Sequence, residues 1–407
     1  MAPDRITSRR RVLQSAAGGI ATAIAAVSNP AGAAAQAAGI HTHDLPDLTI
    51  REVKVYVVKN EAGPERSEEI ASIVTASGIE GNFTLAEHYP HSNWSNEGWL
   101  PYAQGLLIGK NALSLPEFTN QFRSEVGQLS YSGAINVCLW DILGKAVNMP
   151  VYRLLGGYRD RVRAYASSQH LQTPEDFARD VQHAKSQGFT AYKIHPPWLE
   201  GNSVDYRLDI EVAKTVRKTA GDDMPLLFDR VGAYSRLEAM KVGRVLDELN
   251  YVSYEDVIPT DDMEGLAELA RALDVPITVG EFIFSPYDYS KYIRMGAMDE
   301  VRFIVENVGG ISGGMKIAEM AECFGMMCQP HNWGTVLDHA AHFHCELAMP
   351  NNVWFEMTQP QGITDRPYFK DKLRIDKDGY VPAPVKPGLG YEIDYHALHN
   401  MTERIRT

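Results

Sequence analysis

Three carboxylates, Asp229, Glu255 and Glu281, each close a short apolar run and recur at intervals of 26 residues. A carboxylate at the end of a core strand is costly to bury unless its charge is paired or metal-bound. Three in succession offer hard oxygen ligands from neighbouring strands. Oxygen-only coordination with open positions suits Mg2+, with Mn2+ the alternative, at one ion per subunit. The competing reading of each carboxylate is a salt bridge to a nearby Lys or Arg. Lys193-Ile194-His195 adds two polar side chains at i and i+2, a spacing that points both to one side of a strand. A histidine needs little tuning to act as a base near neutrality, and a neighbouring ammonium favours its neutral form. The bland alternative for His195 is a packed ring before Pro196-Pro197. His331 and Glu356 close two later apolar runs and extend the set.

The elements that must position these groups are legible from residue 162 onward. Short apolar runs at 162–166, 191–195, 226–229, 252–255, 277–281, 301–305, 326–331 and 353–356 alternate with helical stretches. Repeated strand–helix units imply a parallel sheet, and eight of them imply a closed barrel. In such barrels chemistry is built at the C-terminal rim of the strands, where Lys193, His195, Asp229, Glu255, Glu281, His331 and Glu356 would converge. Before the barrel, residues 48–58 alternate as a strand, and residues 130–149 carry Ile135, Leu139, Ile142 and Leu143 at helical spacing. The expected fold is α/β, a (β/α)7β barrel over 159–358 with an N-terminal α+β capping domain over 39–158. A segment 359–407 returns to the cap.

Residues 76–102 read as an irregular, aromatic-rich loop of the kind that closes over a ligand. His91, Trp94 and Trp99 are its candidate specificity residues. His339, His342 and His344 share no helix face well and read as structural. The four cysteines, Cys138, Cys323, Cys328 and Cys345, have no zinc spacing and read as buried free thiols. Asp256, beside Glu255, reads as a group behind the ligands.

These motifs together resemble the mandelate racemase/muconate lactonizing enzyme branch of the enolase superfamily. The stretch Ala134-Ile135-Asn136-Val137-Cys138-Leu139-Trp140-Asp141-Ile142-Leu143-Gly144-Lys145 and the stretch Pro150-Val151-Tyr152-Arg153-Leu154-Leu155-Gly156-Gly157 are similar to that family's domain junction. Phe228-Asp229, Tyr254-Glu255 and Gly280-Glu281 match its metal-ligand strands, and Gly309-Gly310-Ile311-Ser312 matches its loop after the sixth strand. The resemblance implies Mg2+ and removal of the proton beside a substrate carboxylate to give an enediolate. A metal and a hydrogen-bond donor stabilise the charge that develops there.

His195 stands where many relatives carry the second lysine of Lys-x-Lys, and is the expected base. Lys193 is expected to hold the substrate carboxylate or metal-bound oxygens. His331 matches the seventh-strand histidine, but the position of its usual aspartate partner is Ile304. Without that partner it is expected to be a general acid or to bind a hydroxyl. Glu356 matches an eighth-strand carboxylate that donates to the substrate carboxylate, a role requiring it to be protonated. One clear base and one acid candidate favour dehydration of a sugar acid or related hydroxy acid. A racemase or epimerase, a lactone cycloisomerase, or a non-catalytic exported binding protein on the same fold are the alternatives.

The chain of 407 residues has a net charge of −13, which argues against nucleic acid as a partner. The expected partners are a small carboxylate substrate and further copies of the chain in a homo-oligomer. Ser8-Arg9-Arg10-Arg11-Val12-Leu13, an apolar Ala/Gly-rich stretch and small-residue cleavage candidates make residues 1–38 resemble a twin-arginine signal. Its removal takes away four Arg and one Asp, bringing the charge to −16. Export to the periplasm, with no membrane contact after signal removal, is the expectation.

Overall fold

Residues 45–59, 68–85, 96–114 and 130–407 are described by the computed structural model. The alternating segment near the start forms β1 (Ile50–Val58). It pairs antiparallel with β2 (Glu68–Thr75), which pairs antiparallel with β3 (Glu80–Leu85). The last strand of the chain, β13 (Thr402–Arg406), pairs with the other edge of β1, so both ends of the described chain share one four-stranded sheet.

The helix Ser130–Ala146 covers that sheet with Ile135, Leu139 and Ile142 buried. Its close approach depends on Gly81, where an added Cβ would lie 2.1 Å from the Cys138 carbonyl oxygen. Asp141 on the same helix accepts from the backbone N–H of Asn82 at 3.1 Å and of Leu389 at 2.9 Å. One carboxylate thereby ties helix, sheet and C-terminal segment together.

The second sheet contains eight parallel strands: β4 (Arg161–His170), β5 (Tyr192–His195), β6 (Leu226–Asp229), β7 (Ser253–Glu255), β8 (Ile277–Val279), β9 (Glu300–Val301), β10 (Met327–Cys328) and β11 (Trp354–Thr358). They pair in chain order from β4 to β10, and β11 pairs in parallel with β4. Helices stand between successive strands, which is the (β/α) barrel arrangement with a separate cap. A short strand β12 (Tyr380–Pro382) pairs antiparallel with β4. Between β10 and β11 the link is made by Asn351 and Asn352. The Asn351 carbonyl accepts from Cys328 N at 2.8 Å, and Asn352 Nδ2 donates to the Cys328 carbonyl at 3.2 Å.

Two expectations fail here. The segment 76–102 is not one irregular loop, because it contains β3 and the start of the helix Asn96–Leu107. Trp99 lies on that helix at 1 % exposure within the core of the cap. A buried indole removes ~150–250 Å² from water, and Trp99 packs into the core here. His91 and Trp94 lie outside the described residues. Cys323 is exposed near the end of the helix Gly310–Cys323, whereas Cys138, Cys328 and Cys345 are buried free thiols.

Candidate active site

Alternation along β5 places Lys193 and His195 on the same side, and both are buried. The Lys193 ammonium, with no exposed surface, lies 3.2 Å from Asp229 Oδ2, 3.1 Å from Glu255 Oε2 and 2.8 Å from Glu356 Oε1. These carboxylates come from β6, β7 and β11. Asp229 and Glu255 are direct register partners.

Glu281 follows β8 through Gly280, whose φ is +149° and whose added Cβ would meet the Arg302 carbonyl at 1.9 Å. Only glycine permits that crossing. Asp256 sits behind the turn, accepting from Gly280 N at 3.4 Å and Glu281 N at 3.3 Å. Burial and the nearby charge of Asp229 push its carboxyl up to about 7.

His195 is held at three points. Its backbone N–H donates to Ser168 Oγ at 3.0 Å, its Nδ1 lies 2.7 Å from the Ser168 carbonyl, and its Nε2 lies 3.1 Å from Asp229 Oδ2. The carbonyl and the ionised Asp229 carboxylate can only accept, so Nδ1 carries a proton and Nε2 directs its own at Asp229; as a base His195 must first release that Nε2 proton. The ring edges against His170 and Trp333, at centroid distances of 5.3 and 5.5 Å. His170 is itself fixed, with Nδ1 at 2.8 Å from the Pro196 carbonyl and Trp198 donating to Nε2 at 3.3 Å.

A residue the sequence reading passed over dominates the far side. Arg302, 1 % exposed, directs Nε to within 2.5 Å of Glu255 Oε1 and pairs through Nη2 with Glu356 Oε2. Its Nη1 donates to the Gln329 carbonyl at 3.2 Å, and its Nη2 lies 3.3 Å from His331 Nδ1. The available signal was Glu300 and Arg302 at i and i+2, charges facing inward from an apolar run.

Arg302 overturns the expectation that Glu356 is protonated. Burial opposes ionisation of Glu356, but Arg302 and then Lys193 outweigh it and hold the carboxyl well below the usual range. Glu356 also accepts from Ser167 Oγ at 2.7 Å and from Asn332 N at 3.0 Å, so it is an acceptor throughout. Asp229 is likewise held ionised: Lys193 and His195 overcome the effect of burial.

Two cations thus face the carboxylates Asp229, Glu255 and Glu356, and Glu281 lies beside His331. Glu255 has the least relief: burial pushes its carboxyl well up even though Arg302 Nε lies 2.5 Å from Oε1 and Lys193 Nζ 3.1 Å from Oε2. A buried carboxylate that stays costly to ionise beside two cations, with two further carboxylates next to it, is part of a donor set that fits a hard divalent cation. The tightest grouping is Glu255, Glu281 and His331, whose candidate atoms lie within 4.8 Å of one another. Asp229 lies outside that grouping; its Oδ2 is engaged by Lys193 and His195, and its Oδ1 by Val231 N at 2.9 Å.

His339, His342 and His344 are spent on structure. His339 Nδ1 faces the Thr335 carbonyl, His342 Nε2 accepts from Val305 N at 2.8 Å, and His344 Nδ1 accepts from Tyr152 N at 3.0 Å.

Residues 176–397 match the enolase C-terminal domain-like family, and residues 67–156 match the mandelate racemase/muconate lactonizing enzyme N-terminal domain. The chain is 32% identical over 262 residues to an arabinonate dehydratase of Saccharolobus solfataricus, covering 64% of this chain and 68% of that one. It is 31% identical over 265 residues to an L-talarate/galactarate dehydratase of Salmonella typhimurium, covering 65% and 63% respectively. A D-glucarate dehydratase from Agrobacterium tumefaciens complexed with magnesium superposes with a TM-score of 0.76 at 27% identity, covering 88% of this chain and all of that one. With barrel, cap and strand-end carboxylates in place, the chain belongs to the mandelate racemase/muconate lactonizing enzyme branch of the enolase superfamily.

Proposed function

We propose that the protein dehydrates a sugar acid or a related small hydroxy acid in a Mg2+-dependent β-elimination. The observation that carries this reading is the pair of histidines at opposite ends of one carboxylate row. His195 stands at Asp229 and His331 at Glu281, and only His195 has a carboxylate within hydrogen-bond distance. Elimination asks for one competent base, whereas racemisation by two bases asks for one on each face. The missing aspartate at position 304, occupied by buried Ile304, weakens the second base. The dehydratase relatives point the same way by analogy.

Asp229, Glu255 and Glu281, with His331 at the edge, are the residues that would hold Mg2+. When bound, the ion supplies positive charge to the substrate carboxylate as the α-proton leaves. His195 takes that proton on Nε2, its ring held by Ser168 and flanked by His170 and Trp333. Lys193 faces Asp229, Glu255 and Glu356 together and helps to keep Asp229 and Glu356 ionised. His331 faces the departing hydroxyl. Loss of water from a 2,3-dihydroxy acid gives an enol, which ketonises to a 2-oxo acid.

The test is turnover against a panel of aldonic and aldaric acids, followed by 2-oxo acid formation with and without EDTA. Activity that EDTA abolishes and Mg2+ restores is the expected result. Deuterium entering recovered substrate from D2O without any 2-oxo acid would favour the racemase or epimerase instead. Binding of acid sugars with no chemistry, unchanged in Glu255→Ala, would favour the exported binding protein.

A further inference from the structure

The cap borders a cavity of about 590 Å³ that shares no residue with the active site. It lies between the turn joining β2 to β3, the C-terminal half of the helix Ser130–Ala146 and the segment 386–395. Its size falls within the ~300–1,000 Å³ of small-molecule sites. Ile79, Leu337 and Ile393 supply apolar surface, and Tyr391 and Tyr395 supply rings and hydroxyls together.

The charges around the cavity cancel. Lys145, Lys370 and Lys386 stand against Glu80, Asp141 and Glu392. Lys145 Nζ lies 2.7 Å from Asp141 Oδ2, and Lys370 pairs with Glu392. Lys386 Nζ lies 2.7 Å from Asp371 Oδ1 and 3.5 Å from Glu392 Oε2. An anion drawn to these ammoniums would compete with carboxylates already in place, and a cation would compete with the ammoniums. The lining therefore offers no net attraction to a full charge.

Hydrogen-bonding capacity is what the lining leaves unspent. Asn82, 2 % exposed, donates through Nδ2 to the Tyr395 hydroxyl at 2.9 Å, and its Oδ1 accepts no hydrogen bond. The Tyr395 oxygen is thus an acceptor toward Asn82 and must aim its own proton elsewhere. The Tyr391 hydroxyl has no partner among the described residues. Burial pushes both phenols up, so both keep their protons near neutrality. Two hydroxyl donors on ring faces call for a ligand that has oxygen acceptors and C–H surface. A sugar has both, and its hydroxyls can also donate to the rim carboxylates without separating the ion pairs. A plain aromatic molecule would cover the rings and leave the hydroxyls unpaired.

We propose that this cavity binds a small neutral saccharide at a site separate from the barrel. Tyr391 and Tyr395 donate to the sugar oxygens, and Asn82 holds Tyr395 in the donating orientation. The inference goes beyond the dehydration reading and does not depend on it, because the ligand needs no carboxylate and no metal.

The test is saturation-transfer difference NMR on the full chain in EDTA. The probes are D-galactose, D-xylose, lactose and cellobiose, with D-galacturonate and benzoate as comparisons. At least one neutral sugar should give a saturable signal, and D-galacturonate should bind no more tightly than D-galactose. Tyr391→Phe and Tyr395→Phe each remove one hydroxyl and keep the ring, and each should weaken the binding by about 2- to 12-fold, the worth of one hydrogen bond. Ile79→Trp, which narrows the cavity without removing a hydroxyl, should weaken it further and serves if a tyrosine variant does not fold. No signal from any of the four sugars overturns the proposal. So does benzoate binding in their place, tighter binding of D-galacturonate, or wild-type affinity in the folded variants. Failure of the dehydration reading looks different: acid sugars would give no 2-oxo acid while neutral sugars still bound.

Discussion

Four side chains with two different environments decide what the site can do. Asp229 is held ionised by Lys193 and His195 and Glu356 by Arg302 and Lys193, Glu255 stays costly to ionise, and His195 exchanges its proton at Nε2. The types and positions of these residues were legible in the sequence, because a carboxylate closing an apolar run stands out. Their protonation was not, because it depends on which cation reaches across the barrel. Glu356 would need a proton to donate, and nothing local to residues 353–356 announces that Arg302 lies against it. At this scale the expected outcome for His195→Asn is loss of both 2-oxo acid formation and α-proton exchange, by ~10²–10⁴-fold, with folding retained. Asparagine fills much of the same space and offers no base. Exchange retained in this variant and lost in His331→Gln would reverse the roles. Deuterium uptake by NMR checks both.

Elements carry these residues to the bowl, and the sequence overestimated their regularity. Runs of five residues were expected at 277–281 and 301–305, yet β8 ends at Val279 and β9 at Val301. The apolar pattern continues because the chain stays buried, not because it stays in the ladder. At Gly280 the backbone leaves the strand with φ +149° and passes under the Arg302 carbonyl. Gly280→Ala should therefore displace Glu281 and lower Mg2+ affinity as well as stability, since no backbone atom near 1.9 Å can yield cheaply. Isothermal titration with Mg2+ and thermal melting would show it; wild-type values for both would mean that the turn relaxes elsewhere.

A second element-scale effect lies behind the sixth and seventh strands. Burial pushes the carboxyls of Glu306 and Asp338 up to about 8 and about 7, with the charge of Asp338 adding to the effect at Glu306 and that of Glu68 at Asp338. Their ordinary values are 4.5 and 3.8, so the folded protein holds protons that the unfolded chain has released. Stability should then fall as pH rises from about 5 to about 8. Glu306→Gln should flatten that slope and stabilise the fold at pH 8. Denaturant midpoints across this range test it, and an unchanged slope would remove the pair as its cause.

At the scale of the whole molecule, the cap-and-barrel plan was readable because eight strand–helix units and the domain-junction motif are long-range repeats that tolerate local error. The interior of the cap was less readable: Trp99 looked like a ligand contact because aromatic residues in a Gly- and Asn-rich segment have no obvious core to join. The sheet that buries it is completed by β13, some 300 residues later.

The chain before this fold raises a separate question. Residues 1–38 lie outside the described residues, and among those described no helix is long and apolar enough to cross a membrane. A twin-arginine route carries cargo that has already folded, which would suit a barrel whose metal ligands come from distant strands. Arg9-Arg10 stands before an Ala/Gly-rich apolar stretch and small-residue cleavage candidates, the order that such a route reads. Replacing Arg9 and Arg10 together by Lys keeps the charge of the segment, so a membrane or surface effect of charge alone would persist. Recognition of the arginine pair would not. The expected outcome is that the full-length chain moves from the periplasmic to the cytoplasmic fraction, uncleaved and still folded. Export of the double-lysine chain at the wild-type level, or no export of the parent chain, would refute this reading of the N-terminus without touching the chemistry of the barrel.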